Sequence, residues 1–330
     1  MQSGKRTNMS ESKTENTKKN NIQRADDPQR GMKTQTVQTL DAFIRVIDSI
    51  KPSALGTLWF RGQSSASHRL IPGVLRDITQ TRDWAGRPVK RGAIQFSGGG
   101  TVSGLRAEAM LEAFKRQARP FLEHPPSNDF EWMFIAQHHG LPTRLLDWST
   151  NALVALYFAA SGAEQRSGDG TSECNDFNEN PFSDEGFSVF AIDPIQINEK
   201  VFGLSEPLDI SANLEHWSNY IDPMASEGNN LLPICVTAPH MTTRIRAQSG
   251  SFTLHGANVY PLDYYTDLQP LITKIFIPYT STGLIINSLQ KVGITESFIY
   301  PGLDTIARDI TRSERTSYAT RMEQYFNEES

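Results

Sequence analysis

The sequence predicts an α+β fold, a single mixed domain with N-terminal helices and a mainly antiparallel sheet. Two observations carry this. Apolar residues recur at helical spacing before Ala160, whereas short strand-like apolar runs dominate after Phe187, so helices and strands are segregated and do not alternate. No internal repeat or linker divides residues 36–315, and the polar stretches within that span read as insertions. A chain of 330 residues can bury a large core.

Residues 1–35 are polar and charged, with Lys5, Arg6, Lys13, Lys18 and Lys19 among their cations, and are expected to form a disordered basic tail. From Thr36 to Ile50, Val37, Leu40, Phe43, Ile44 and Ile47 mark an amphipathic helix ended by Lys51-Pro52. Thr57–Gly62 is a short apolar run closed by glycine, hence a strand. The pattern fails over 79–104, where Arg82, Arg87, Lys90 and Arg91 accompany Trp84, Phe96 and three glycines; a long loop is expected. Helices follow over Leu105–Leu122, through Gln137 after the Asn128-Asp129 cap signal, and after the Ser149-Thr150-Asn151 cap signal. Arg144–Trp148 is extended. Residues 164–186 read as a second flexible insertion. Strands are expected at Phe187–Ile192, Leu231–Thr237, Gly250–Leu254 and Lys274–Pro278, then helices at Thr282–Val292 and from Leu303, with 316–330 as a tail.

Hydrophobic content of 38%, charged content of 21% and a net charge of -5 are ordinary for a globular protein and give no overall nucleic-acid footprint. No apolar run reaches the roughly 18 residues that span a bilayer, and Met1–Lys33 has no apolar signal core. Cys174 and Cys235 lack metal-ligand spacing. A cytoplasmic setting without membrane partners is expected.

The run from Gln137 to Trp148, QHHGLPTRLLDW, packs ionisable groups between apolar residues, so it holds a paired internal network or lines a pocket. Arg61 emerges from an apolar strand. It suits a bidentate grip on phosphate, or a structural pairing with Asp147. Gly62 behind it would admit a ligand to the backbone. Arg144 and Asp147 could pair with each other. Gln137 and His138 could be satisfied core residues or ligand contacts. His138 and His139 point about 100° apart on a helix, so no metal site is expected. Phosphate-loop, nucleophile-elbow and zinc-helix motifs are absent.

Leu58-Trp59-Phe60-Arg61-Gly62, the Gln137–Trp148 run and Ala155-Leu156-Tyr157-Phe158-Ala159 together resemble the FRG domain family. Further echoes are Arg246–Phe252, Ile275–Pro278 and Tyr300-Pro301-Gly302-Leu303-Asp304; His139 and Ala152 depart from the usual tyrosine and proline. The resemblance implies a component of a bacterial anti-phage or toxin–antitoxin locus. A more distant likeness is to ADP-ribosyltransferases of the arginine–serine–glutamate class, which implies an ADP-ribosyltransferase-like fold and NAD as substrate. It implies Arg61, His138, Asp147 and Gln248 as catalytic residues, and Arg61, Gly62, Gln137, Thr143, Arg144, Ser149 and Thr150 as NAD contacts. Gly250 stands where that class places its glutamate, so Asp147, Glu131 or Glu296 would have to replace it. The function so implied is an NAD-dependent toxin that modifies a macromolecular acceptor. The basic tail and the Arg/Lys/aromatic loop 82–96 tilt the acceptor toward nucleic acid over protein, and a proteinaceous antitoxin or other defence-locus protein is the expected partner. The alternative is a non-catalytic ligand-sensing or protein-interaction module of a defence system. A nuclease is less supported, because no metal carboxylate cluster appears.

Overall fold

Strands β2 (Trp59–Gln63) and β5 (Leu145–Trp148) meet at a single antiparallel bridge, where Phe60 and Ser149 exchange backbone hydrogen bonds of 2.7 and 2.8 Å. The structure is a computed structural model. It describes residues 31–53, 56–82, 87–88, 101–210, 217–221, 232–237 and 251–328. Each bridged strand closes its own four-stranded sheet. The first runs β1 (Lys33–Thr36), β10 (Ile272–Pro278), β6 (Gly186–Ile192), β2. The second runs β5, β9 (Ser251–Leu254), β8 (Ile234–Thr237), β7 (Leu208–Asp209). The α+β class holds, in one domain. The pairing is mainly antiparallel as expected, with only β1–β10 and β7–β8 parallel, but the strands form two four-stranded sheets where one sheet was expected.

Side chains alternate across the first sheet as the pleat requires. Phe60, Phe187, Val189, Ala191, Ile275 and Ile277 face one core, with Phe43 of helix α1 (Leu40–Ser49) and Ala155, Leu156 and Ala159 of α4 (Ala152–Ser161). Trp59, Phe190, Ile192 and Ile272 face the opposite core with Leu146 and Trp148 of β5, so this core crosses the junction and ties the two sheets together. A third core packs Leu145, Phe252 and Leu254 against α2 (Ala107–Ala118) and α3 (Asp129–His138). Helix α4 is apolar on nearly every side because β2 and the helix Thr282–Lys291 enclose it.

Several expectations are corrected. Lys33–Thr36 is a strand, not tail; its residues are exposed and polar, so only pairing with β10 reveals it. The ends of the expected 79–104 loop pair as a ribbon, β3 (Thr79–Arg82) with β4 (Thr101–Ser103). The expected 164–186 insertion contains α5 (Thr171–Glu179), anchored by Phe177 stacked on Phe276 at 4.2 Å. Helix α6 (Pro194–Phe202), started by the Asp193 cap, had no counterpart in the sequence reading. The last helix runs from Leu303 to Glu328, so 316–328 is helical where a tail was expected. Most of the expected basic tail, residues 1–30, and Trp84, Lys90, Arg91 and Phe96 lie outside the described residues. Among the described residues no helix is long and apolar enough to cross a membrane.

Candidate functional site

Helix α3 begins at an asparagine cap braced by Glu131. Asn128 accepts from the Glu131 N–H at 3.0 Å and Glu131 accepts from the Ser127 N–H at 2.7 Å, so Glu131 serves the helix end. The helix stops at Gly140, whose φ of 85° suits glycine, and Pro142 leads the chain into β5. This turn folds the end of α3 over β5. Leu145 and Asp147 share the face of β5 that looks toward α3. Leu145 is buried against it, while Asp147, one residue pair nearer the sheet junction, is open.

The opening is a cleft of about 500 Å³ where β2 and β5 diverge beyond their bridge. Arg61, Gly62, Gln137, His138, Asp147 and Ser149 all line it. Six of the expected site residues, from three separate segments, are thus brought together. Arg61 Nη1 donates to the Asp147 carbonyl at 2.7 Å and lies 3.7 Å from its Oδ2. Gln137 Nε2 donates to Asp147 Oδ2 at 2.9 Å. Arg61 is 15% exposed and Asp147 55%. Arg61 Nε is buried without an acceptor among the described residues. Burial pulls the Arg61 pKa down from the usual arginine value, against the opposing pull of Asp147.

Aromatic rings form two walls. Phe134 and Phe252 lie 5.1 Å apart on one side, and Phe158 meets Tyr300 edge-on at 6.0 Å on the other. Behind the cleft, Trp148 Nε1 donates to Thr253 Oγ1 at 3.2 Å, which sits 3.5 Å from His255 Nε2. His255 is fully buried. Burial first, then the charges of Arg144 and Arg61, push its pKa down to about 3, so it is a neutral imidazole at physiological pH.

Other expected residues lie elsewhere. Arg144 is three positions from Asp147 on an extended chain, hence on the opposite face. Its Nη1 donates to the Gly256 carbonyl at 2.9 Å and its Nε is 4.0 Å from Glu108. The considered Arg144–Asp147 pair is therefore corrected: Asp147 pairs with Arg61 and Gln137. Thr143 and Thr150 do not line the cleft; Thr143 supports Gln137 from behind, with its hydroxyl 2.7 Å from Oε1. The expected opening at Gly62 is also corrected. A Cβ there would stand 2.0 Å from the Ala155 carbonyl oxygen, so the glycine admits α4. Glu296 is bound to Arg308 and Arg312, away from the cleft, and its pKa is held down chiefly by the Arg308 hydrogen bond. Gln248 and Gly250 lie outside the described residues. Sequence reasoning did not assign the Phe134–Phe252 wall or Tyr300 to the site; the Tyr300-Pro301-Gly302 motif was the available signal for the latter.

Asp147 is the one carboxylate among the described residues lining the cleft. No group of three or more His, Cys, Asp or Glu among the described residues could hold a metal ion. The arrangement offers an arginine with an unmet donor, one open carboxylate, an amide and aromatic walls. That suits a ligand carrying both negative charge and a planar ring. Neither the curated proteins nor the solved structures give a match to this chain. The family model described as the FRG domain matches residues 56–168, and that span supplies every residue lining the cleft except Ser251, Phe252 and Tyr300.

Proposed function

The chain carries an FRG domain, and from that premise we propose that its cleft binds NAD and transfers ADP-ribose to a macromolecular acceptor, with nucleic acid favoured. The observation that carries this reading is Arg61, whose buried Nε has no acceptor among the described residues, lining a cleft whose sole described carboxylate is Asp147. Arg61 is suited to a dinucleotide diphosphate or ribose, and the aromatic walls to its planar rings. In this reading Asp147 stabilises the positive charge that grows on the nicotinamide ribose. In the transfer, the N-glycosidic bond breaks and its electron pair leaves with nicotinamide. The acceptor nucleophile bonds to the ribose carbon and gives its proton to the Asp147 carboxylate. Ser149 and His138 complete the rim toward the ribose and the acceptor. The basic residues of the N-terminal sequence are the reason for favouring nucleic acid. A toxin role in anti-phage defence, with a proteinaceous antitoxin as partner, rests on the family resemblance.

The test is titration of the purified chain with NAD, then nicotinamide release and retention of label from labelled NAD in the nucleic-acid or protein fraction of a lysate. Asp147→Asn is expected to keep NAD affinity and lose turnover by orders of magnitude. A second reading, a non-catalytic ligand-sensing or protein-interaction module, is favoured by the restriction to one carboxylate. It prevails if the wild-type chain neither binds NAD nor releases nicotinamide with lysate supplied.

A further inference from the structure

Thr143 lies outside the cleft, yet it begins a line of hydrogen bonds that ends on the carboxylate within it. The Leu145 backbone N–H donates to Thr143 Oγ1 at 3.0 Å. That N–H can only donate, so the threonine oxygen accepts there and its own proton is free for Gln137. The Thr143 hydroxyl donates to Gln137 Oε1 at 2.7 Å. Gln137 Nε2 then faces Asp147 and donates to Oδ2 at 2.9 Å. A flipped amide would set a carbonyl oxygen against a carboxylate oxygen, so the Asp147 carboxylate fixes the amide's orientation. Gln137 Oε1 then faces Thr143 and can only accept the threonine proton.

The consequence falls on Asp147. Its backbone is held by pairing with Phe252, between the buried Leu146 and Trp148. Its side chain is more than half exposed, and its only side-chain hydrogen bond among the described residues is the one from Gln137 to Oδ2. Arg61 stands on the same side, 3.7 Å from Oδ2. Oδ1 has no hydrogen-bond partner among the described residues.

We propose that Thr143 and Gln137 are positioning residues that tie back Asp147 Oδ2 and present Oδ1 to the reacting ribose carbon, Thr143 acting without touching the ligand. What Oδ1 meets rests on the NAD reading; the positioning itself does not. Thr143→Val keeps the shape and removes the link. Gln137→Leu cuts the line at its centre and leaves the Thr143–Leu145 bond in place. Thr143→Ser restores the hydroxyl. With the full chain, kcat for nicotinamide release from NAD is expected to fall roughly 10- to 100-fold in Thr143→Val and Gln137→Leu, with KM within about 2-fold, and to recover in Thr143→Ser. An activity-independent arm follows the Gln137 side-chain amide by NMR. Its Nε2 resonances are expected to shift in Asp147→Asn and in Thr143→Val, but to stay in place in Thr143→Ser. A wild-type chain that releases no nicotinamide sinks the NAD reading and leaves the NMR arm to judge the positioning. An unmoved Gln137 amide in Thr143→Val, or a loss confined to KM, overturns the inference.

Discussion

Gly62 offers the sharpest test of how the cleft is built. Its φ is not among the left-handed glycines, so alanine there meets no backbone strain, only the space question. That question has a definite answer. The new Cβ would lie 2.0 Å from the Ala155 carbonyl oxygen and 2.7 Å from the Ala159 nitrogen, both backbone atoms with no rotamer to escape into. Contacts of this kind need about 3 Å, so α4 must retreat from β2 by about 1 Å. A gap of that size forfeits a quarter to a half of the dispersion well of each facing atom. The interface includes Ala155, Leu156 and Ala159, all buried. Overpacking usually costs about 1–3 kcal/mol, and a clash between two backbones belongs at or above the top of that range. Gly62→Ala is therefore expected to destabilise by about 3 kcal/mol or more, which at an m-value near 3 kcal/mol/M lowers the urea midpoint by roughly 1 M. Tryptophan fluorescence reports it, since Trp59 and Trp148 lie in the core that joins the sheets. A midpoint within about 0.2 M of wild type would refute the packing account and return Gly62 to the ligand.

Three further outcomes follow from the same structure. His255 has a native pKa near 3 against an ordinary value of 6.5. From pH 6.5 down to 3 the unfolded chain thus takes up a proton that the native chain refuses, and stability is lost as pH falls through that window, by up to about 4 kcal/mol; His255→Leu should shrink the slope in acid-unfolding curves. Lys274 is fully buried, donates to the Ala66 and Pro181 carbonyls, and has its pKa pushed by burial from 10.5 to about 7. Above pH 7 the unfolded chain holds the proton that the native one releases, so stability rises with pH from about 7 toward 9; urea midpoints of Lys274→Met should lack that rise, and an identical rise would exclude Lys274 as its source. Truncation after Ser313 should leave the unfolding midpoint unchanged, because the helix beyond is almost wholly exposed and loses mainly the Arg321–Glu314 pair; a lowered midpoint would show that this segment contributes to the fold.

Elements whose signal is local were legible in the residues alone. Asn128 and Asn151 mark helix starts because a cap is made by a side chain two or three residues from the amides it serves. The apolar runs of β6 and β10 identify strands because both of their faces are buried. The density of polar groups between apolar ones in 137–148, and Arg61 at the end of an apolar run, marked a site for the same reason: buried polar groups need partners. Which partners they take depends on how strands and helices distant in the chain are brought together. Strand parity sends Arg144 to Glu108 and the Gly256 carbonyl while the sheet junction brings Arg61, 86 residues away, onto Asp147. Lys33–Thr36 carries no hydrophobic pattern at all, because an exposed edge strand is held by backbone pairing that its side chains do not record. Gly62 reads the same in sequence whether the space beside it admits a ligand or a helix, and only the approach of α4 fills it.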